Sequence, residues 1–413
     1  MQVVHTHCAG LDVHKKRVVA CALTPDGKGG WQKTLATFST MTADLLRLSD
    51  WLSASGCTHV AMESTGEYWR PVFNILESTL EVILVNAAHI KNVPGRKTDI
   101  KDAQWIAELL QHGLLRASFI PPLEQRELRD LVRHRANFIR ERVNLDNRVQ
   151  KVLEAANVKL GCVASNVMGA SGRAMLAALV DGQTNPEAMA ELAKGRLRLK
   201  REQLVPALDG RVRPHHRFIL AALLSQIDSI EETIAQFDEQ IVVFCQPFEA
   251  AVQLLDTIPG VGRQTAELIV SEIGADMSRF PSASHLAAWA GLAPGNHESA
   301  GKRLAGKTRY GNRLLRAALV QSAHALTHTK TYLAAQFWRL TRRRGKKRAA
   351  VAVVHSILVI AYHLLQRQEP YCELGANYFD QQRPETTSKR LVKRLEKLGY
   401  QVLLQPQAAA LVT

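Results

Sequence analysis

Four carboxylates and one hydroxyl raise the question of chemistry in this chain. Asp12 and Glu63 each stand at the downstream end of a short apolar run, in "GLDV" and "VAMES". Asp99 and Asp102 sit three residues apart in "GRKTDIKDAQWIAELL", a spacing that puts both on one side of a helix's first turn. Four acids gathered at one point repel each other, and hard divalent cations relieve that repulsion. Mg²⁺ accepts carboxylate oxygens and keeps positions open for phosphate; two ions could be held, and Mn²⁺ could substitute. Each acid also has an ordinary reading: Asp12 in a turn, Glu63 beside a helix cap at Thr65, Asp99 capping its own helix. Together, at the ends of the right elements, they point to a metal site, and Arg96, Lys97 and Lys101 would face phosphates bound to it.

The hydroxyl is Ser299, followed by Gly301, Lys302, Arg303, Lys307, Arg309, Arg313 and Arg316. A serine attacks phosphate when its proton is accepted and the pentavalent charge is stabilised, and arginines supply the second requirement. The same residues also read as a glycine turn beside cations that only hold phosphates. From these residues alone both readings stand.

The elements that must position these groups alternate over the first 120 residues. "THCAGLDV" and "RVVACALT" read as a hairpin and "WQKTLATFS" as a third strand. "TADLLRLSDWLSASG" reads as a helix with a threonine cap, "THVAMES" as a strand, "YWRPVFNILEST" as a helix and "LEVILVN" as a buried strand; a further helix covers about 98–115. Three strands followed by αβαβα is the order of an RNase H-like domain, where the strands carrying Asp12 and Glu63 are neighbours and the last helix brings in Asp99 and Asp102.

From Glu124 to about Leu160 the pattern is helical, with Leu128, Val132, Ile139, Leu145, Val149, Val152 and Ala156 near one stripe. Leu223, Ile227, Ile230, Ile234, Phe237, Ile241 and Phe244 form a heptad seam, which suits either antiparallel packing of the two long helices in one chain or pairing of two chains. Residues 161–215 read only as Gly-, Ala- and Arg-rich helical material. "LLDTIPGVGRQTAELIVSEIG" reads as a helix-hairpin-helix, in which Gly260 and Gly262 let backbone N–H groups approach a phosphate. A Gly-rich loop then leads into a helix from about 312. The reading is therefore α/β plus α: a metal domain over 1–120, a helical coiled-coil region over 121–250, a mainly helical domain over 251–370 and a basic tail over 371–413.

The chain has 413 residues, 46% of them apolar, enough for several packed cores. Lys and Arg number 53 against 38 Asp and Glu, a net charge of +15, which suits a polyanionic partner. The six cysteines show no C-x-x-C spacing, and the N-terminus lacks the apolar core of a signal peptide, so a reducing cytoplasm is expected. The apolar run "AAVAVVHSILVIAYHLL" is interrupted by His355, Ser356 and His363 and reads as a buried helix, not a membrane span.

Several long stretches in order, "GLDVHKK", "MESTGEYW", "GRKTDIKDAQWIAELL", "IPGVG" and "WAGLAP…ESAGKR…GKTRYGNRLLR", resemble the transposases of the insertion sequence 110 family, over about residues 8–367. The resemblance implies a RuvC-like domain whose DEDD acids match Asp12, Glu63, Asp99 and Asp102. It also implies a coiled-coil insertion and a C-terminal transposase domain whose nucleophilic serine falls on Ser299. It implies a structured bridge RNA whose loops pair with target and donor DNA, a covalent phosphoserine, and dimers assembling to a tetramer so that one subunit's acids meet another's serine. The expected place of action is the bacterial cytoplasm, at the nucleoid. Departures are Ala300, where many relatives carry glycine, and "TRYGN" for a more usual "SKxGN", which affects Thr308 and raises Tyr310 as an alternative nucleophile. The other readings are a Holliday-junction-type endonuclease using metal-activated water and a non-catalytic nucleic-acid scaffold.

Overall fold

The computed structural model describes residues 2–64, 66–86, 102–293, 297–299, 302–305, 308, 310–382 and 384–405, with only the backbone path for 297–299 and 302–305. It divides into two compact units, Met1–Pro121 and Pro122–Thr413.

In the first unit, β1 (Cys8–Val13), β2 (Arg17–Pro25) and β3 (Trp31–Ser39) precede α1 (Thr42–Ala54), β4 (His59–Glu63), α2 (Trp69–Leu76), β5 (Glu81–Val85) and α3 (Asp102–Gln111). The sheet order is β3-β2-β1-β4-β5; the β1–β2 and β2–β3 pairs are antiparallel, and β1–β4 and β4–β5 are parallel. Because side chains alternate along a strand, β1 feeds two cores. Ala9, Leu11 and Val13 pack with Leu45, Leu48 and Leu52 of α1 and Val72 and Leu76 of α2. Cys8, on the opposite face, packs with Ala103, Ile106, Ala107, Leu109 and Leu110 of α3. Each fully buried Leu or Ile of α3 contributes about 1.5–3 kcal/mol toward holding the helix there.

Two expectations shift here. Thr42 is the first residue of α1, and Met41 occupies the cap position without a side-chain bond. Strand β5 lies at the sheet edge, so only Leu84 and Val85 of it are buried. Residues 98–101 of the expected last helix lie outside the described residues.

The second unit is built from α4 (Leu123–Ala155), α5 (Leu160–Val163), α6 (Ala170–Val180), α7 (Pro186–Glu191), α8 (Arg201–Leu208) and α9 (Pro214–Cys245). It continues with α10 (Glu249–Asp256), α11 (Arg263–Ile273), α12 (Ala283–Trp289), the hairpin β6 (His297–Ser299) and β7 (Lys302–Ala305), and α13 (Arg313–Ala325). Last come α14 (Tyr332–Arg344), α15 (Lys346–Arg367), α16 (Tyr378–Gln381) and α17 (Pro384–Glu396).

Helices α4 and α9, of 33 and 32 residues, run antiparallel for roughly 50 Å at 1.5 Å rise per residue. Arg135 meets Asp238 at 2.7 Å and Arg142 meets Glu231 at 2.7 Å, so numbers rise along one helix as they fall along the other. The heptad seam of α9 is thus occupied by α4 of the same chain, although Ile139, placed in the α4 stripe, is 38% exposed. The pair joins two cores. At one end Leu145, Val149 and Leu153 pack with Leu220, Leu223 and Ile227 and with α6 and α8, which places the 161–215 segment as a cap on the pair. At the other end Leu128, Val132, Ile241 and Cys245 pack with α10, α11, α13 and α15.

Helix α15 is long and apolar enough to cross a membrane, but Val353, Val354, Ile357, Leu358 and Ala361 lie in that core, as the interrupted run predicts. In the tail, α16 docks on α14 through Tyr332 stacked on Phe379 at 5.2 Å. No residue of α17 is buried.

Candidate active site

The first group of candidates gathers at one end of the sheet. Parallel pairing of β1 with β4 runs from Cys8 opposite His59 to Leu11 opposite Met62, and Asp12 and Glu63 are the next residues on the two strands. By the two-residue period, Asp12 shares a face with Gly10 and Cys8, the face that α3 covers. The helix lies on the strand so closely that a Cβ at Gly10 would collide with the Ala103 carbonyl and the Ala107 amide. The Cys8 thiol points at the Ala107 carbonyl, 3.8 Å away. Passing from Ala107 to Ala103 therefore moves from the Cys8 side toward Asp12, and Asp102 comes next as the first residue of α3.

Asp12, Glu63 and Asp102 are each half-buried, and Oδ1 of Asp102 is shielded from solvent. His14, which the sequence reading passed over, places Nε2 3.0 Å from Oδ2 of Asp12. Its signal was the D-x-H spacing at a strand end. Asp99, Arg96, Lys97 and Lys101 lie outside the described residues. Among the described residues no three His, Cys, Asp or Glu side chains stand close enough together to hold a metal ion. The donors present are carboxylate oxygens, the chemistry a hard cation requires, and the fold brings their strand and helix positions together.

The second group lies on or near the β6–β7 hairpin, where the sequence had suggested only a glycine loop. Ser299 is the last residue of β6 and pairs with Lys302, and Glu298 pairs with Arg303. Strands of three and four residues are too short to show the alternating apolar pattern that marks longer strands. Lys307 and Arg309 lie outside the described residues. Thr308 is half-buried, and Tyr310 is 92% exposed. Arg313 opens α13 and is exposed, and Arg316 is half-buried one turn later.

Helices α10 and α11 flank the turn that carries Gly260 and Gly262, and the two glycines differ. Gly260 has φ +82°, and a Cβ there would meet the Ser322 carbonyl of α13 at 2.7 Å, so its close approach is to its own chain. Gly262, at the N-cap of α11, has open space where a Cβ would be and keeps a phosphate-facing role available.

A buried polar network, missed in the sequence, fixes the start of α13. Glu272 has no exposure and accepts from Arg133 Nε at 2.7 Å and Nη2 at 2.8 Å, and from Asn312 Nδ2 at 2.6 Å. Oδ1 of the same Asn312 accepts from the Leu315 amide at 3.0 Å and caps α13. Arg129 donates to the Ser271 and Glu272 carbonyls at 2.9 and 2.8 Å, satisfying the last turn of α11. The only sequence signal was a Ser-Glu pair in the apolar stretch "AELIVSEIG".

The α/β unit with its acidic sheet end and the helical unit with its cation-rich hairpin are of the kind found in DNA-rearranging enzymes. Residues 9–158 match a family model described as transposase, of DEDD type, and residues 252–339 match one described as transposase of the IS116/IS110/IS902 family. The chain belongs to this transposase family and is a DNA transposase/recombinase. It is similar to the transposase for insertion sequence element IS1111A of Coxiella burnetii, 26% identical over 370 residues, covering 88% of this chain and 90% of that one. It is also similar to the pilin gene-inverting protein of Moraxella lacunata, 25% identical over 380 residues, covering 88% and 96%. A DEDD domain implies use of divalent metal in general.

Proposed function

We propose that this chain is an RNA-guided recombinase that excises and inserts its own element by serine attack on DNA phosphates. The observation that carries the reading is the placement of Asp12, Glu63 and Asp102 at one end of a sheet ordered β3-β2-β1-β4-β5, the strand order of RuvC-like domains. Asp99, three residues before Asp102 in the sequence, would complete the acidic set. Asp12, Glu63, Asp99 and Asp102 would hold Mg²⁺, which when bound would neutralise charge on the scissile phosphate.

Ser299 Oγ attacks phosphorus; the Oγ–P bond forms as the P–O bond to the leaving strand breaks, and the serine proton ends on the departing hydroxyl. Lys302, Arg303, Lys307, Arg309, Arg313 and Arg316 stabilise the charge that builds on the phosphate oxygens. A strand hydroxyl then attacks the phosphoserine and releases Ser299, so the phosphodiester energy is conserved and resealing needs no ATP.

Two relatives named for transposition and for gene inversion support this chemistry, since inversion must rejoin every end it opens. Arg96, Lys97, Lys101 and the Gly262 turn contribute phosphate contacts. Target choice lies with a bridge RNA that pairs with target and donor DNA. The working unit is a tetramer assembled from two dimers at the nucleoid, with acids from one subunit serving the serine of another.

The test uses full-length protein with bridge RNA and both DNAs, reading cleavage, denaturation-resistant protein–DNA adducts and recombination. Ser299→Ala abolishes adduct and recombination; cleavage surviving without an adduct would instead identify metal-activated water as the nucleophile, and full recombination would refute the serine mechanism. Asp12→Asn and Asp102→Asn abolish all three readouts, and their full retention would reduce the acids to structural roles.

A further inference from the structure

We propose that a cavity of about 540 Å³ in the second unit takes a single unstacked nucleotide, with its phosphate on arginines and its base on Trp289. The inference rests on the family's action on nucleic acid and adds a site for one nucleotide beside the start of α13.

The cavity is lined by Arg133, Asn137 and Arg140 of α4, Trp289 at the end of α12, and the segment Gly311–Leu314 that opens α13. Positions 133, 137 and 140 follow the helical repeat and so present one face of α4. Among the described residues, three guanidinium groups line the space and no carboxylate does. The Glu272 carboxylate lies behind Arg133 and fixes it through two parallel hydrogen bonds, at 2.7 and 2.8 Å. This arrangement prepares the guanidinium to meet an anion without first losing side-chain freedom.

The opposite wall is equally fixed. A Cβ at Gly311 would collide with the backbone of Ala290 and Gly291, so only glycine lets the start of α13 lie against the end of α12. That contact sets Asn312, held by Glu272, beside Trp289. Trp289 is half-buried, and its ring packs edge-on against Phe280 at 5.9 Å between centroids. An aromatic wall opposite several cations is the arrangement that binds single-stranded nucleic acid, because every base has a face to stack and every nucleotide a phosphate. A volume of this size falls in the ~300–1,000 Å³ range of sites for one small ligand and is too small for a segment of duplex.

The test measures binding of full-length protein to a fluorescent single-stranded DNA, the RNA of the same sequence, and the DNA duplex, across a salt series. Trp289→Leu weakens single-strand binding by about tenfold, leaves duplex binding unchanged and is rescued by Trp289→Phe, since stacking is worth ~1–3 kcal/mol per base. Arg140→Ala, at an exposed position, flattens the single-strand salt slope by about 0.7. The DNA and RNA arms show which strand supplies the nucleotide. Wild-type single-strand affinity in both Trp289→Leu and Arg140→Ala, or equal losses on duplex and single strand, would overturn the proposal. If Trp289→Leu lowers the melting temperature, Arg140→Ala still decides the matter through the slope. Binding needs no cleavage, so Ser299→Ala retains it; failure of this pocket and failure of the serine mechanism give different results.

Discussion

Arg133 meets the fully buried carboxylate of Glu272 through two parallel hydrogen bonds, and that carboxylate also holds Asn312, the cap of α13. One acid in α11 thereby couples the long helix α4 to the helix that follows the serine hairpin. Truncating Glu272 orphans Asn312 but leaves Arg133, 41% exposed, partly solvated, so the cost falls below that of a fully buried pair, at about 1–3 kcal/mol. Glu272→Ala should lower stability by that order in urea or guanidinium unfolding. Glu272→Gln keeps the shape and loses the charge, and should fall between it and wild type. A loss below about 1 kcal/mol for the alanine variant would show that the network is not a stability element.

Gly10 tests how the acidic sheet end is assembled. Its missing side chain is what allows α3 to lie on β1, with the Ala103 carbonyl and Ala107 amide directly over it. Overpacking of this kind costs about 1–3 kcal/mol, and because the obstacle is backbone the helix must move. Gly10→Ala should therefore destabilise the first unit and displace Asp102 from Asp12 and Glu63. DNA cleavage should fall more steeply than the melting temperature accounts for, whereas a variant with full cleavage would show that α3 need not sit at this depth.

The sheet was readable because its strands are long enough to show alternation and end in acids with no apolar role, as at Asp12 and Glu63. The α9 seam was also readable, but the sequence could not say that α4 fills it, since an apolar heptad looks the same toward any partner. The 161–215 segment gave little because α5, α7 and α8 are too short to display a helical period, and α6 is apolar on most sides. Glu272 stayed hidden for a different reason. Periodicity counts apolar residues, whereas a buried carboxylate is explained only by Arg133 and Asn312, far away in sequence.

Thiol chemistry separates the six cysteines. Burial pushes the Cys8 thiol up to about 12, with Cys57 and Cys21 adding to the shift. Burial likewise raises Cys21, Cys57 and Cys245 to about 11. Cys162 and Cys372 are exposed. Since the thiolate is the reactive species, alkylation of native protein near pH ~8 should label Cys162 and Cys372 at least roughly a hundredfold faster than the others. Mass spectrometry of a time course reads this directly, and early labelling of Cys8 or Cys57 would mean that the sheet core opens under native conditions.

Asp146 gives the helical pair a defined pH response. Burial raises its carboxyl above the ordinary value of 3.8; Glu231 reinforces the shift, and Arg142 and Arg173 oppose it. Its Oδ1 is shielded from water and has no hydrogen-bond partner among the described residues. A carboxyl whose pKa is higher folded than unfolded binds its proton more tightly in the native state. Its ionised form therefore opposes folding above the folded pKa, and the penalty disappears as pH falls through that value. Asp146→Asn should be more stable than wild type at neutral pH, and the two should converge as pH drops into the carboxylate range. Thermal melts of both proteins across that range test the sign. If wild type is the more stable at neutral pH, the attraction of Arg142 and Arg173 outweighs burial at this site.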